Sequence, residues 1–209
     1  MAYLFLDLAS TPSVKAAQVA NGAGEFWANF VGHRDSDRLT DAEARFIQAR
    51  DSFYLATVSE SGWPYVQHRG GPAGFLRVMD EQTLAFLDFR GNRQYISLGN
   101  LASDGRAALI LMDYPNRRRL KIYGRVEAKD LSTAPEIAAN LALPEYKAKV
   151  ERAFLVRVEA FDWNCSQHIT PRFTETELER ALAPARLRLV QLEAENKALR
   201  DRLAAYEVE

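Results

Sequence analysis

Three clusters of basic and polar residues in the middle of the chain are suited to binding an anion. They are Gln67-His68-Arg69-Gly70, Asn92-Arg93-Gln94 and Arg117-Arg118-Arg119, and each adjoins a predicted strand. Guanidinium groups form paired hydrogen bonds with phosphate oxygens, and glycine lets a ligand approach the backbone closely. Together the clusters predict a protein that holds a phosphorylated small molecule on a sheet.

Each cluster taken alone also has a plain structural explanation. Asn92 begins a predicted helix over residues 92–101, where free amides and the helix dipole favour an anion, but an Asn there is often only a cap. Alternation along a strand places Arg117 and Arg119 on one face and Arg118 on the other. A charged strand start that blocks edge pairing would have the same pattern.

The segment 162–172 is polar and aromatic, and it supplies further candidate site residues. Trp163 is suited to covering an aromatic ring system, and Arg172 to pairing with a phosphate or carbonyl oxygen. Because a histidine side chain can give or take a proton near neutral pH, His168 is the candidate catalytic acid or base, with a structural hydrogen-bonding role as the alternative. The three histidines lack the spacing of metal ligands, so no metal site is predicted.

Composition narrows the classes of partner. The net charge of −1 gives no reason to expect nucleic acid or an anionic membrane. The single cysteine, Cys165, cannot form an internal disulfide, which favours a reducing compartment. The chain has no apolar run of the ~20 residues that span a bilayer, and no basic segment precedes the apolar start. We therefore expect a cytoplasmic protein.

Periodicity predicts helices at both ends of the chain and strands between them. The first fifty residues are expected to be helical, with a capping box at Thr40-Asp41-Ala42-Glu43 that starts a helix to about Arg50. The predicted strands span residues 53–58, 63–68, 75–79, 83–89, 107–112, 120–126 and 154–161. Residues 135–152 are predicted to form a helical pair divided at Pro144. This α+β pattern, mainly β, favours a six- to seven-stranded antiparallel barrel over a doubly wound sheet.

The C-terminal segment has the heptad pattern of a leucine zipper. Position a holds Leu182, Leu189, Asn196 and Leu203, and position d holds Ala185, Leu192, Leu199 and Tyr206. One Asn at position a is typical of a parallel two-stranded coiled coil. Because proline breaks a helix interior, the zipper helix is expected to begin near Pro184. The alternative is a single amphipathic helix that packs on its own domain.

Four stretches, in their order and strand context, resemble the pyridoxamine 5'-phosphate oxidase family of FMN-binding split-barrel flavoproteins. The stretches are residues 62–69, 86–94, 118–125 and 163–172, and the resemblance covers about residues 40–173. It implies an FMN-dependent oxidoreductase with a small-molecule substrate. It also implies a homodimer that shares its cofactor site across the interface, and His168 near the substrate.

The resemblance assigns roles residue by residue. It implies cofactor contacts from Gln67, His68, Arg69, Gly70, Asp88, Asn92, Arg93, Gln94, Arg119, Trp163 and Arg172. The expected division is an N-terminal helical segment (1–50), an FMN-binding split barrel (51–173) and a C-terminal zipper helix (174–209).

The chain departs from the family pattern at three places. Gln94 stands where the family has a Lys. Gly70-Gly71-Pro72 stands where the family's oxidases have a Lys at the end of the first flavin strand. His168–Arg172 stands where those oxidases have Arg-Leu-His-Asp-Arg. The resemblance therefore implies flavin binding with a different substrate. The alternatives are a non-catalytic flavin-binding or sensing module and a haem- or deazaflavin-binding relative, with His68 or His168 as the haem ligand.

Overall fold

The computed structural model describes residues 4–30, 37–163 and 167–206, which belong to two compact units. The first unit runs to Asp113 and continues from Arg117 to Ile169, and the second contains Tyr114–Asn116 and the chain from Thr170. The three-part division expected from sequence stays a prediction. In the expected N-terminal segment, helix α4 (Asp41–Gln48) contributes Phe46 and Ile47 to the barrel core.

Seven antiparallel strands form the sheet of the first unit, in the order β2-β1-β5-β6-β7-β4-β3. Their bounds are β1 Ser52–Val58, β2 Pro64–Gly70, β3 Arg77–Asp80, β4 Thr83–Phe89, β5 Arg106–Asp113, β6 Arg118–Lys129 and β7 Val150–Trp163. The predicted α+β class and the antiparallel strands are confirmed.

The sheet curls around a single aromatic core, as in a split barrel. Phe53 of β1 and Phe86 of β4 lie 5.1 Å apart between ring centroids, although three strands separate β1 from β4 in the sheet. Phe154 of β7 packs on Phe86 at 5.3 Å. All three side chains are almost fully buried. Burial of their apolar surface is the main force that holds the curled sheet together.

Strand β4 is buried along both faces because each face meets a different apolar layer. Leu84 and Phe86 belong to the barrel core, while Leu87 packs with Leu141 and Ala153 in a second cluster outside it. A strand covered on both sides needs a nearly continuous apolar run, which the segment Thr83-Leu84-Ala85-Phe86-Leu87 has. The continuous run therefore marks the strand that carries Asp88 at its end.

The described N-terminal helices are α1 Leu4–Ala9, α2 Pro12–Ala20, α3 Gly24–Ala28 and α4 Asp41–Gln48. The capping box that begins α4 is present. The Thr40 amide donates to Glu43 Oε2 at 3.0 Å, the Thr40 hydroxyl also hydrogen-bonds Glu43, and the Ala42 amide donates to Thr40 Oγ1 at 3.2 Å. This reciprocal bonding satisfies amides that the helix itself leaves unpaired.

Two predicted helices differ in the structure. Helix α5 spans Ile96–Ser103 rather than 92–101, because Arg93 and Tyr95 adopt left-handed backbone conformations that a helix cannot include. Of the predicted helical pair at 135–152, only α6 Pro135–Asn140 forms. Residues 150–153 instead extend β7, because they find pairing partners at the end of β4.

Helix α7, Glu175–Tyr206, is 32 residues long and begins nine residues before Pro184, so the predicted start near Pro184 is wrong. A second capping box sets the true start. The Thr174 amide donates to Glu177 Oε2 at 2.8 Å, and the Glu177 amide donates to Thr174 Oγ1 at 3.2 Å. Within the described ranges, neither α7 nor any other helix is both long and apolar enough to cross a membrane.

Candidate functional site

A small depression lies where β2, the end of β4, the start of β7 and the turn before α5 meet. Its cavity volume is about 50 Å³, and it is open to solvent. That volume is well below the roughly 300–1,000 Å³ typical of ligand sites, so the depression by itself admits only a small group. Its lining contains Gln67, Arg69, Asp88, Phe89, Gly91, Asn92, Arg93, Tyr95, Ser97, Leu98 and Glu151.

Arg69 is the most buried cation of the lining. Alternation along β2 places Gln67 and Arg69 on the same face, and the Arg69 side chain is 14% exposed. Its Nη1 donates to Asp88 Oδ1 at 2.5 Å, and its guanidinium lies 5.6 Å from the Phe154 ring centroid. Its Nε is buried without a hydrogen-bond partner among the described residues. Arg69 therefore keeps one donor that an additional acceptor would satisfy.

Asp88 is shared between two guanidinium groups. Register pairing places it opposite Arg152 of β7, whose Nε lies 3.3 Å from Asp88 Oδ2. The Arg69–Asp88 ion pair links β2, at one end of the sheet order, to β4 near the other end. A carboxylate buried to this degree needs such partners, since an unpaired charge in the interior is costly.

Glu151 forms a second carboxylate centre beside the first. Arg90 Nε donates to Glu151 Oε1 at 2.8 Å, Tyr95 Oη donates to the same oxygen at 3.2 Å, and Arg152 Nη2 donates to Oε2 at 3.2 Å. The hydrogen bond from Arg90 holds the pKa of Glu151 below its usual range.

The local charge is positive. Four guanidinium groups (Arg69, Arg90, Arg93 and Arg152) stand against the two carboxylates, Asp88 and Glu151. The excess favours an anionic ligand.

The turn that leads into α5 presents the remaining polar groups. The Gln94 amide donates to Asn92 Oδ1 at 3.1 Å, which fixes the turn. Arg93 follows Asn92 with φ of 64° and is exposed, without an ion pair among the described residues. Tyr95 precedes α5 and gives it no side-chain cap. An anion at this turn would meet a free guanidinium and uncapped helix amides.

Five of the residues predicted from sequence come together in this depression. They are Gln67, Arg69, Asp88, Asn92 and Arg93. Gln94 lies just outside it, where its Oε1 accepts a hydrogen bond from Asn92 Nδ2 at 3.0 Å. The structure thus places the first two anion clusters of the sequence side by side.

His68 and Gly70 do not line the depression. His68 points to the opposite face of β2, where its exposed ring meets Tyr54 edge-on at 5.5 Å. Gly70 lies against that imidazole, since a Cβ at this position would come within 3.0 Å of His68 Cε1. These two residues therefore belong to the outer surface of the same strand.

Trp163 also lies away from the depression within this protomer. Its Nε1 donates to Glu43 Oε1 at 2.7 Å, its ring meets Phe46 edge-on at 4.7 Å, and the Arg118 guanidinium lies 4.4 Å from the ring centroid. Burial tends to raise the pKa of Glu43, but the hydrogen bonds from Thr40 and Trp163 lower it below its usual value. Trp163 is thereby fixed against α4.

The last predicted residues lie at other places. Arg119 is half-buried on β6 opposite Met112 of β5, and Arg117 precedes the strand with φ of 53° rather than sharing its face. His168 is exposed with φ of 62° at the end of the first unit. Arg172 belongs to the second unit, where its guanidinium lies 5.0 Å from the Tyr114 ring. Cys165 lies outside the described residues.

Sequence reasoning missed the β7 part of the site. Glu151 and Arg152 were expected at the end of a helix, so their pairing with β4 was not anticipated. Ser97, whose hydroxyl donates to Gln67 Oε1 at 2.8 Å, was also missed. The apolar residues Val150, Ala153 and Phe154 have the i, i+3, i+4 spacing of a helix, so the pattern of this segment gave no signal for a strand.

Several solved structures are similar to part of this chain. HupZ of Group A Streptococcus is 16% identical, with a TM-score of 0.47 over 65% of this chain and 99% of that one. An FMN-binding protein of Syntrophomonas wolfei is 13% identical, with a TM-score of 0.46 over 70% and 97%. A protein related to general stress protein 26, of the pyridoxinephosphate oxidase family, from Clostridium acetobutylicum is 14% identical, with a TM-score of 0.41 over 64% and 92%. At such low scores, nothing about a ligand follows from these likenesses.

A family model gives the firmer result. No curated protein sequence matches the chain significantly. The model described as pyridoxamine 5'-phosphate oxidase, however, matches residues 39–160, which is more than half of the chain and includes every strand up to most of β7. The matched segment contains the whole lining of the depression. The chain therefore belongs to the pyridoxamine 5'-phosphate oxidase family.

Proposed function

We propose that this protein binds FMN and acts as an oxidoreductase on a small molecule. The observation that carries the proposal is the convergence of Arg69, Arg93 and the uncapped start of α5 on one depression. All three lie in the segment that matches the family. The depression is small, so the proposal assigns it the phosphate end of the cofactor rather than the whole flavin.

Arg93 is the residue best placed to hold a phosphate dianion. It is exposed and has no ion pair among the described residues, so binding costs it no existing partner. Charge-assisted hydrogen bonds of this kind contribute about 1.5–3 kcal/mol each. The adjacent amides of α5 add the positive end of a helix dipole.

Arg69 would act differently, because Asp88 already occupies one of its nitrogens. Its buried Nε remains without a hydrogen-bond partner among the described residues. The proposal gives Arg69 a contact through this donor, with Asp88 and Arg152 holding the guanidinium in position. A ligand acceptor at Nε would remove an unsatisfied buried group, which costs roughly 1–3 kcal/mol when left unpaired.

FMN, when bound, supplies the hydride acceptor for oxidation of a substrate. The chain's own residues hold and orient it. For His168, Trp163, Arg172, Arg119 and His68, which lie away from the depression in one protomer, the proposal is that they serve a site shared between two copies. This part rests on the family resemblance. In it His168 holds the proton that substrate chemistry requires.

The test compares FMN with riboflavin, which lacks the phosphate. The purified full-length protein is titrated with each flavin, and binding is followed by quenching of flavin fluorescence. We expect the wild type to prefer FMN, and the Arg93→Ala variant to lose roughly tenfold or more in FMN affinity while its riboflavin affinity stays unchanged. Arg69→Ala should show the same pattern.

Arg125→Ala is the matched control, since Arg125 is an exposed cation of the same unit that pairs with Glu159 at 2.6 Å on another strand. It should leave both affinities unchanged. Equal affinity of the wild type for FMN and riboflavin would overturn the phosphate assignment. A haem spectrum in the purified protein would replace the flavin with a different cofactor.

A further inference from the structure

Helix α7 exposes a line of leucines that nothing in its own unit covers. Leu189, Leu192, Leu199 and Leu203 are between 44% and 61% exposed. They occupy a and d positions of consecutive heptads, so they lie along one face of the helix. We call this face, formed by the a and d positions from Leu178 to Leu203, the α7 seam. Exposed leucines at regular coiled-coil spacing are a surface that another helix would cover.

The true start of α7 lengthens this seam. Because the helix begins at Glu175, Leu178 joins the pattern at a d position, and it is itself 47% exposed. The seam therefore has eight a and d positions within one continuous helix. Pro184 lies at position c, which faces away from a partner, so it does not interrupt the seam.

We propose that the partner of the α7 seam is α7 of a second copy of this chain, parallel and in register. In that arrangement each g residue faces the e residue five positions later on the other helix. Arg188 then faces Glu193 of the partner subunit, and Glu195 faces Arg200 of the partner subunit. Both of these contacts pair opposite charges, and the two-fold symmetry forms each of them twice.

Charge disfavours one antiparallel arrangement, the one that places Leu189 opposite Leu199 of the partner subunit. There, g faces g and e faces e. Arg188 would face Arg202 of the partner subunit, and Glu195 and Glu193 would each face their own copies. All these contacts join like charges, which destabilises that arrangement.

Asn196 disfavours the antiparallel arrangements whose charges attract. Full overlap of the α7 seam, with Leu178 opposite Leu203 of the partner subunit, pairs Arg188 with Glu195 of the partner subunit but places Asn196 opposite Ala185 of the partner subunit. A shift of two heptads places Asn196 opposite Leu199 of the partner subunit. A buried amide without a hydrogen-bond partner costs roughly 1–3 kcal/mol. In the parallel register Asn196 meets Asn196 of the partner subunit, and the two amides satisfy each other.

The test introduces one reporter cysteine into the full-length protein with Cys165→Ser, which removes the native thiol. Leu199→Cys places the thiol at a d position, and Lys197→Cys, at the outward b position, is the matched control. In the parallel register the two thiols introduced by Leu199→Cys are adjacent. In the antiparallel arrangements that place Leu199 opposite Leu182 or Leu189 of the partner subunit they lie roughly 26 or 15 Å apart along the axis, too far for a disulfide, which needs Cα atoms within about 7 Å.

We expect Leu199→Cys to form a disulfide-linked dimer in a glutathione redox buffer, with a yield several-fold above that of Lys197→Cys. Equal yields in the two variants would overturn the proposal. So would cross-linking that appears only when Leu199→Cys is mixed with Leu182→Cys or with Leu189→Cys, because those positions face Leu199 in the two antiparallel arrangements.

Charge reversal provides an independent measurement on the Leu199→Cys background. Arg188→Glu should lower the cross-linking equilibrium by roughly fivefold, because two attractive contacts become repulsive. Adding Glu193→Arg should restore it. Failure of Glu193→Arg to restore the equilibrium would overturn the proposal, since in the fully overlapping antiparallel arrangement residue 193 faces Arg186 of the partner subunit and the change adds repulsion. An increase with Arg188→Glu alone would also overturn it, because that result requires the arrangement in which residue 188 faces Arg202 of the partner subunit.

Discussion

The barrel and helix α7 solve the burial of apolar side chains in different ways. Phe53, Phe86 and Phe154 come from three strands far apart in sequence and are almost fully buried against one another. The leucines of the α7 seam repeat every three or four residues and remain about half exposed. The barrel thus finds its partners within its own chain, whereas the helix carries a regular surface without such partners in its unit. Long-range contacts bury the apolar side chains of the first region, whereas the α7 seam of the second is the face for which we propose a partner helix.

Charged groups follow the same division. In the barrel, Asp88 is buried between Arg69 and Arg152, so removing any one member leaves uncompensated charge. On α7, Arg188 and Glu195 lie 3.7 Å apart with both side chains about 60% exposed. Water screens such a pair, which contributes little to stability. The two regions should therefore respond to charge changes very differently.

The largest expected effect is that of Asp88→Ala in the barrel. Arg69 and Arg152 would lose their shared carboxylate, and we expect the free energy of unfolding to fall by about 3–5 kcal/mol. Denaturation by urea, followed by tryptophan fluorescence, measures it. Asp104→Ala, which removes a more exposed ion pair with Arg106, is the control and should cost far less stability, because water screens that pair. Equal effects would mean that burial of the Asp88 pair contributes no extra stability.

A smaller effect is expected for Glu43→Gln, which weakens the contact between α4 and Trp163. Hydrogen bonds to a charged group contribute about 1.5–3 kcal/mol, so stability near neutral pH should fall by part of that amount. The pKa of Glu43 is lowered in the folded protein, from a usual value of 4.5. The stabilisation is therefore fully present above that usual value and is lost as the pH falls through the folded value.

The difference between wild type and Glu43→Gln should accordingly shrink in acid, as measured by denaturation curves over a range of pH. Asp41→Asn, at the exposed first position of the same helix, is a suitable control. A difference that grows as the pH falls would contradict the assigned direction of the pKa change.

The smallest effect on the barrel is expected from a chain that ends at Phe173, before α7. The barrel core contains no residue of that helix, so the free energy of barrel unfolding should change by less than about 0.5 kcal/mol. Light scattering should at the same time show weaker self-association. A loss of several kcal/mol in the barrel would mean that α7 is part of its packing, as the alternative of an amphipathic helix on its own domain requires.

The sequence made most of the barrel predictable because alternation is a local signal. The seven strands, the capping box at Thr40 and the pairing of Arg69 with the turn at Arg93 follow from residue types and their spacing. The role of Arg152 did not follow, because Val150, Ala153 and Phe154 have helical spacing and only pairing with β4 makes that segment a strand. The start of α7 was missed because a proline was given more weight than the capping residues Thr174 and Glu177.

The carboxylate of Asp88 also has a consequence for which anions can enter the depression. The Asp88 carboxylate already accepts a hydrogen bond from Arg69, so a small inorganic anion would gain little free energy by replacing it there. A ligand that also reaches Arg93 and the amides of α5 gathers contacts that Asp88 cannot supply. Asp88 therefore disfavours the binding of small inorganic anions at Arg69, even at the salt concentration of the surrounding medium. It favours instead a larger ligand that contacts Arg69 Nε and Arg93 at the same time.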